Sequence, residues 1–354
     1  MSDSKSTQYR SGYALVNGKA KLLAECLQNW ERPDSNWNRA AFDPGHVDPF
    51  CCRTEWQLSF HEGMEPANFI VRETPGSAAI FNKLHYSEGQ QYFGPVESHW
   101  MFGCPLLGAE SMDLLQELMA ELEPRDTTEN IFLISGLEPK GLLYNGLVRR
   151  FASSCDFGQG REEIQCSASL DGGLDGYLSR RSSKHRRSLR KQMNKAKRAG
   201  VYFERHKPSS PEQAAAIYAR MLAVEESSWK GINRCGMTVG RSRKYYDVML
   251  RRLALSGNGR VMFARHEDRD IGFIFGGLAG CFYRGQQFSF ADDWKSFSIG
   301  NLLQLEQITW LCEEGVQRYD MGPLMEYKTH WTEIMTPLLT LMLRPRYNAT
   351  LPLF

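Results

Sequence analysis

The stretch from Phe288 to Trp331 concentrates the side chains whose types and spacing could do chemistry. Within it, Ser298-Ile299-Gly300-Asn301-Leu302 opens a run in which Leu302, Leu303, Leu305, Ile308, Leu311 and Cys312 recur at the spacing of one helix face. The first N–H groups of such a helix have no internal acceptor, and Gly300 lets another group approach the backbone closely. Ser298–Leu302 is therefore a candidate anion cradle that needs no cationic side chain. Gly315 is placed to end the helix, and Val316–Met321 to return as a strand running into Asp320-Met321-Gly322. Asp320 would then sit at a strand end, where ligands gather in open α/β sheets; it could be a base, a hydrogen-bond anchor or a structural cap. Lys328 is the candidate cation, with Glu326 and His330 beside it as groups able to carry a proton. Tyr327, Trp331 and Trp229 are candidates for pocket walls or core, and Asp292, with Asp293, for the same region or for a turn.

The elements that would position these residues can be read from periodicity. Before the segment, the spacing predicts helices over about 182–199, Ser210–Trp229 and 241–255, with a strand at Val201–Arg205. Strands at Gly259–His266, Asp270–Ala279 and Cys281–Ala291 follow, then the helix Gly300–Glu314, the return strand, a short helix near Glu326–Glu333 and a strand at Leu338–Leu343. Meandering strands, one helical crossover and a return strand describe an α/β layout around one mixed sheet. Asp171–Asp175 is the expected boundary, which gives a tail over 1–12, one half over 13–170 and a second over 171–354. In the first half a helix is expected over Asn17–Trp30 and a loop over Glu31–Pro49. A hairpin of Ala67–Arg72 and Ala78–Leu84 about Pro75-Gly76 comes next. A helix at Ser111–Leu122, a strand at Asn130–Leu137, a helix at Gly141–Phe151 and a strand at Glu163–Ala168 complete it.

Composition narrows the classes. At 354 residues the chain suits two domains of roughly 150 residues each. Hydrophobic content of 42% with charged content of 24% is that of a soluble globular protein, and a net charge of +2 names no partner. Charge does cluster locally: Arg180–Arg198 holds ten Arg or Lys and no acid. On a helix, Leu189, Met193 and Ala196 would turn inward and leave the cations to solvent or to a phosphorylated partner such as a CoA 3′-phosphate, a tRNA or an anionic membrane. The nine cysteines include no pair at zinc-knuckle spacing and are expected to be reduced, mostly buried thiols, so no metal is expected. No apolar run approaches the ~20 residues of a membrane span, and Met1–Arg10 lacks a signal-peptide core, so a cytoplasmic location is expected.

Taken in order, Ile299-Gly300-Asn301-Leu302-Leu303, Gly315, Asp320-Met321-Gly322 and Tyr327-Lys328-Thr329-His330-Trp331 resemble the GNAT superfamily, in its branch of FemAB-like proteins and CelD (BcsL)-type acetyltransferases. The basic run with Val201–Arg205, and Ser227–Gly231, extend the similarity backwards. Glu55-Trp56 and Pro95–Trp100 before Pro105–Gly108 carry it thinly into the first half. The resemblance implies two tandem GNAT-like halves, the second carrying the site. It implies direct transfer of an acyl group from acyl-CoA (acetyl-CoA) to a small-molecule, sugar or peptide amine or hydroxyl acceptor, with Ser298–Leu302 on the pyrophosphate and Lys328 at the donor–acceptor junction. An aminoacyl-tRNA donor is the alternative, although the long helical-hairpin insertion of many such enzymes has no counterpart. The Gln/Arg-x-x-Gly-x-Gly/Ala loop of typical CoA-binding domains is also absent, which leaves a non-catalytic binding protein open.

Overall fold

The computed structural model describes residues 12–347 apart from 43–44, 88 and 125–127, so the tail expected over 1–12 lies outside the described residues except for Gly12. The first half contains β1 (Tyr13–Val16), β2 (Lys19–Leu22), α1 (Leu23–Trp30), α2 (Asn36–Ala40), α3 (Thr54–Gly63), β3 (Phe69–Thr74), β4 (Ser77–Ser87), β5 (Gln90–Gly94), β6 (Leu106–Leu107), α4 (Ser111–Glu121), β7 (Glu129–Leu137), α5 (Leu142–Phe151) and β8 (Cys155–Ser169). The second contains α6 (Gly173–Ser179), α7 (Ser183–Arg198), β9 (Val201–His206), α8 (Pro211–Glu226), α9 (Trp229–Ile232), α10 (Gly240–Leu255), β10 (Gly259–His266), β11 (Arg269–Ala279), β12 (Phe282–Phe290), α11 (Ile299–Glu313), β13 (Arg318–Pro323) and β14 (Ile334–Pro345). This is a mixed α/β fold on one sheet ordered β2-β1-β3-β4-β5-β7-β14-β8-β13-β12-β11-β10-β9, with β6 beside β4. Pairing is antiparallel except at β1–β3, β5–β7 and β12–β13.

Gly172 and Gly173 (φ +75° and +67°) turn the chain from β8 into α6. The halves on either side of that turn share the sheet, because β14 runs back between β7 and β8. Its Leu339, Leu341 and Leu343 join the apolar core of the first half. A second cluster, with Phe50, Trp56, Phe60, Tyr245, Met249 and Leu253, packs α3 against α10 and so joins the halves on one face.

Several elements differ from the sequence expectation. The helix expected over Asn17–Trp30 begins only at Leu23, because Asn17 and Gly18 adopt φ +49° and +72° and turn β1 back onto β2. The loop expected over Glu31–Pro49 contains α2, capped by Ser35. Helix α3 was invisible to periodicity because it is buried on every side, its polar residues satisfied internally: Arg53 pairs with Glu55 (2.8 Å), and Gln57 Nε2 donates to the Cys51 carbonyl (2.6 Å). The helix expected to reach Trp229 stops at Glu226, after which Ser228 Oγ caps the short α9. In α7 the residues expected to face inward, Leu189, Met193 and Ala196, are the buried ones. None of the nine cysteines is in a disulfide, and six are buried.

Candidate functional site

The site follows from how β12 meets β13. The two are paired in parallel only over Phe282↔Arg318, Tyr283↔Tyr319 and Arg284↔Asp320. Beyond that register β12 runs on to Phe290 beside β11 and β13 to Pro323 beside β8, no longer paired to each other. The parted strands open a cleft of about 710 Å³ whose walls include Gly285–Phe290 on one side and Met321–Pro323 on the other. Chain leaving β12 forms a 3-10 turn, Asp292–Phe297, and Ser298 (φ +57°) swings it into α11 so that Ser298, Gly300 and Asn301 face the cleft. Gly300 packs closely under two rings: a Cβ there would stand 3.0 Å from Phe288 Cε2 and 3.1 Å from Phe290 Cε1, so a larger residue would have to push them aside by a few tenths of an ångström. Helix α11 packs on β10, β11 and β12 and against both α6 and α7, which explains why Ile299, Leu302, Leu303, Ile308, Trp310 and Leu311 are all buried.

The opposite wall carries Lys328, on a second 3-10 turn, Glu326–His330. It is 8% exposed, and its Nζ donates to the Pro323 carbonyl (2.8 Å). Burial, reinforced by the Arg284 guanidinium, lowers its pKa to about 8. Tyr327 lines the same wall, its ring 5.7 Å from that of Phe288, with its hydroxyl pushed up to about 12 by burial. Trp229 stands half-exposed at the rim.

Other residues expected at the site lie elsewhere. Asp320 is 1% exposed, is buried beside Arg284 rather than lining the cleft, and pairs with Arg318 (3.0 Å). Burial and then repulsion from Asp48, opposed by Arg318 and Arg284, push its pKa up to about 6. Glu326 and His330 are exposed on the outer side of their turn, where the His330 ring stacks on His185 at 6.1 Å. Of the four proposed catalytic side chains, Lys328 alone reaches the cleft. Ile299 and Leu302 belong to the core beneath α11, and the Leu302 N–H already donates to the Ser298 carbonyl (3.2 Å), so of the two only the Ile299 backbone could take part in an anion cradle. Trp331 is buried in the core with Tyr177 and Leu189. Asp292 pairs with Lys295 (3.3 Å) in the turn before α11 rather than lining the cleft. Glu326 and His330 stand two residues to either side of Lys328, and such residues on a helical turn do not share a face.

The cleft also holds residues that sequence reasoning missed. Trp56, Trp100 and Phe102 reach it from the first half, and Tyr246 from α10. Lys230 Nζ donates to Gln287 Oε1 (3.0 Å) and to the Phe288 carbonyl (2.9 Å), while Gln287 Nε2 donates to Tyr246 Oη (2.7 Å). This chain fixes the open edge of β12; burial lowers the pKa of Lys230 although Glu225 opposes it. Arg284, 3% exposed, lies at the floor and pairs with Asp48. Trp56 and Trp100 did fall in segments of family resemblance, whereas Arg284 in mid-strand carries no spacing signal. Among the described residues no group of His, Cys, Asp and Glu is arranged to hold a metal.

Residues 183–329, which contain both walls of the parted strands, match the family model described as an acetyltransferase (GNAT) domain. No curated protein matches the chain. Among solved structures, FemX superposes with a TM-score of 0.60 at 11% identity, over 86% of this chain and 95% of FemX. A conserved protein of unknown function from Bacteroides thetaiotaomicron gives 0.58 at 10% identity, over 93% and 99%. L-PGS from Bacillus licheniformis gives 0.51 at 16%, over 81% and 86%. At such identities the likeness concerns the fold, and it extends across both halves.

Proposed function

We infer that the chain is an acyltransferase that moves an acyl group from acyl-CoA directly to an amine or hydroxyl acceptor in the cleft between β12 and β13. The observation that carries this is the parting of the strands after Arg284↔Asp320, which sets the start of α11 on one wall and a buried lysine on the other. The residues present suit such a donor. Helix α11 is 15 residues long, and its start offers the Gly300 N–H and the positive end of the helix dipole to phosphate oxygens, while the Ser298 and Asn301 N–H groups donate to the Lys295 and Ser298 carbonyls and hold the turn in shape. Lys328 Nζ, held by the Pro323 carbonyl and shielded from water, is placed to offset negative charge that develops on the transferred carbonyl oxygen. As the acceptor's new bond to the acyl carbon forms, the bond to the donor sulfur breaks, and the proton lost by the acceptor balances the departing thiolate.

Thiol release from acetyl-CoA and longer acyl-CoAs, measured against a panel of amines and hydroxyl compounds, tests this. Lys328→Ala should lower the rate by about 10²–10³-fold while leaving thermal unfolding nearly unchanged. Full activity in that variant would remove Lys328 from the chemistry and favour a non-catalytic binding protein.

One observation favours a second reading, an aminoacyl-tRNA donor. On α7, Lys184, Arg186, Arg187, Arg190 and Lys191 form no ion pair with an acid among the described residues, whereas many arginines of the same half are paired, among them Arg205, Arg220, Arg260 and Arg265. The helix touches the segments at both ends of the site: His185 meets Trp331 (5.1 Å) after the Lys328 turn, and Lys195 Nζ donates to the Ser296 carbonyl (2.8 Å) just before the start of α11. Filter binding of tRNA at low salt decides this reading, and absence of binding removes it.

A further inference from the structure

The chemistry above leaves Arg284 without a task. Its side chain is 3% exposed, and one arm, Nη1, is taken by Asp48, whose own side chain is closed to solvent at 0%. Asp48 is itself shared: its Oδ1 accepts from the Cys51 N–H (3.1 Å), and its Oδ2 from Gln165 Nε2 (3.0 Å) as well as from Arg284. Among the described residues no acceptor meets the other arm, Nη2. That arm lies 3.2 Å from the point where a Cβ on Gly322 would stand, and Lys328 Nζ lies 3.7 Å from the same point. Gly322, at φ +80° on the cleft wall, keeps the point open.

Charge pairing around this point is incomplete: Arg284 pairs with Asp48 and Arg318 with Asp320, whereas Lys328 meets a carbonyl and no acid among the described residues. The buried carboxylate that touches Trp56, Glu97, is taken up by the Trp56 indole N–H and by the His99 and Trp100 backbone N–H groups. An uncompensated charge away from water is costly, and the forked guanidinium is the side chain best suited to a planar anion. Aromatic rings border this point. The Arg284 guanidinium lies 5.0 Å from the Phe102 ring centre and 5.8 Å from that of Trp56, and both rings line the cleft with Trp100.

We propose that the free arm of Arg284 anchors a carboxylate carried by the acceptor substrate, whose apolar body rests against Trp56, Trp100 and Phe102. The acceptor is then an amino- or hydroxy-acid derivative: its amine or hydroxyl is acylated while its carboxylate completes the charge pairing at the cleft floor. Lys328, hydrogen-bonded to Pro323, remains free to face the transferred carbonyl. A neutral amide at the same place would leave that pairing incomplete, so discrimination against it should be strong. The proposal rests on the acyl-transfer reading only for the word acceptor; the anchor itself can be tested without a donor.

Trp56, Trp100 and Trp229 line the cleft, so tryptophan fluorescence reports its occupancy. The full-length chain is titrated with phenylacetate and, separately, with phenylacetamide. Phenylacetate should bind saturably and at least about tenfold tighter than the amide. Arg284→Gln should abolish that preference, and Arg284→Lys, which keeps a charge beside Asp48 but loses the fork, should retain only part of it. Because Arg284→Gln strands Asp48, the double variant Asp48→Asn/Arg284→Gln is measured as well, with thermal unfolding confirming that each protein is folded. The proposal is overturned if phenylacetate does not bind, if the wild type binds both probes alike, or if the preference survives in either folded variant lacking the arginine. Failure of acyl-CoA to bind would refute the transfer reading while leaving this titration standing.

Discussion

Lys328 has the ionisation that its position demands. Burial and the nearby Arg284 bring its pKa from 10.5 to about 8, so it keeps its charge near neutral pH but loses it within reach of an ordinary pH titration. If the protonated form offsets charge on the transferred carbonyl, kcat/KM should fall as pH rises through about 8. Lys328→Arg should lift that limb out of the accessible range. A profile flat to pH 10 would contradict the role. Stability moves the other way. A lysine whose folded pKa is depressed costs stability wherever it is charged, fully so below about 8, and this cost fades as pH rises towards 10.5. Lys328 was legible in the sequence because it falls in an ordered motif. Glu326 and His330 stand two residues to either side of it, so any helical turn, α or 3-10, sends them to another face than the one Lys328 occupies.

At the scale of elements, the site is built where β12 and β13 stop pairing. The order of strand, helix and return strand could be read from periodicity, and so could the buried face of α7. The point of parting could not, since it depends on what neighbouring strands do. Strand β13 leaves the register of β8 between Asp320 and Gly322, and β12 is held open by Lys230 on the Phe288 carbonyl. Gly322 marks the turn with φ +80°. Gly322→Ala should cost about 1–2 kcal/mol from the left-handed backbone alone, seen as a lower denaturation midpoint at unchanged m-value. Its Cβ would also stand 3.2 Å from Arg284 Nη2 and displace the group proposed as an anchor. An unchanged midpoint would mean that the β13 end is not held in this conformation. Helix α3, with Trp56 on the cleft wall, was hidden for the opposite reason: a helix buried on all sides carries no amphipathic period.

The whole molecule is a single sheet closed by its last strand. A reading of the sequence divides the chain at Asp171–Asp175, but β14 crosses back to pair with β7 and β8, a pairing between residues far apart in sequence that no local pattern announces. Calorimetry should therefore show one cooperative unfolding transition. Leu341→Ala, at 3% exposure in the core of the first half, should lower that transition as a unit and cost about 2–5 kcal/mol. Two separable transitions would contradict the sharing of a core. The same closure holds Trp56, Trp100 and Phe102 against the parted strands of the second half, so the cleft needs both halves. The most direct measurement of the central claim is calorimetric titration of acetyl-CoA and longer acyl-CoAs into the full chain and into Asn301→Trp, which fills the cleft at the exposed start of α11. The account predicts saturable binding at one site, weakened at least about tenfold by the substitution. No binding of any acyl-CoA, or equal affinity in the two proteins, would contradict it.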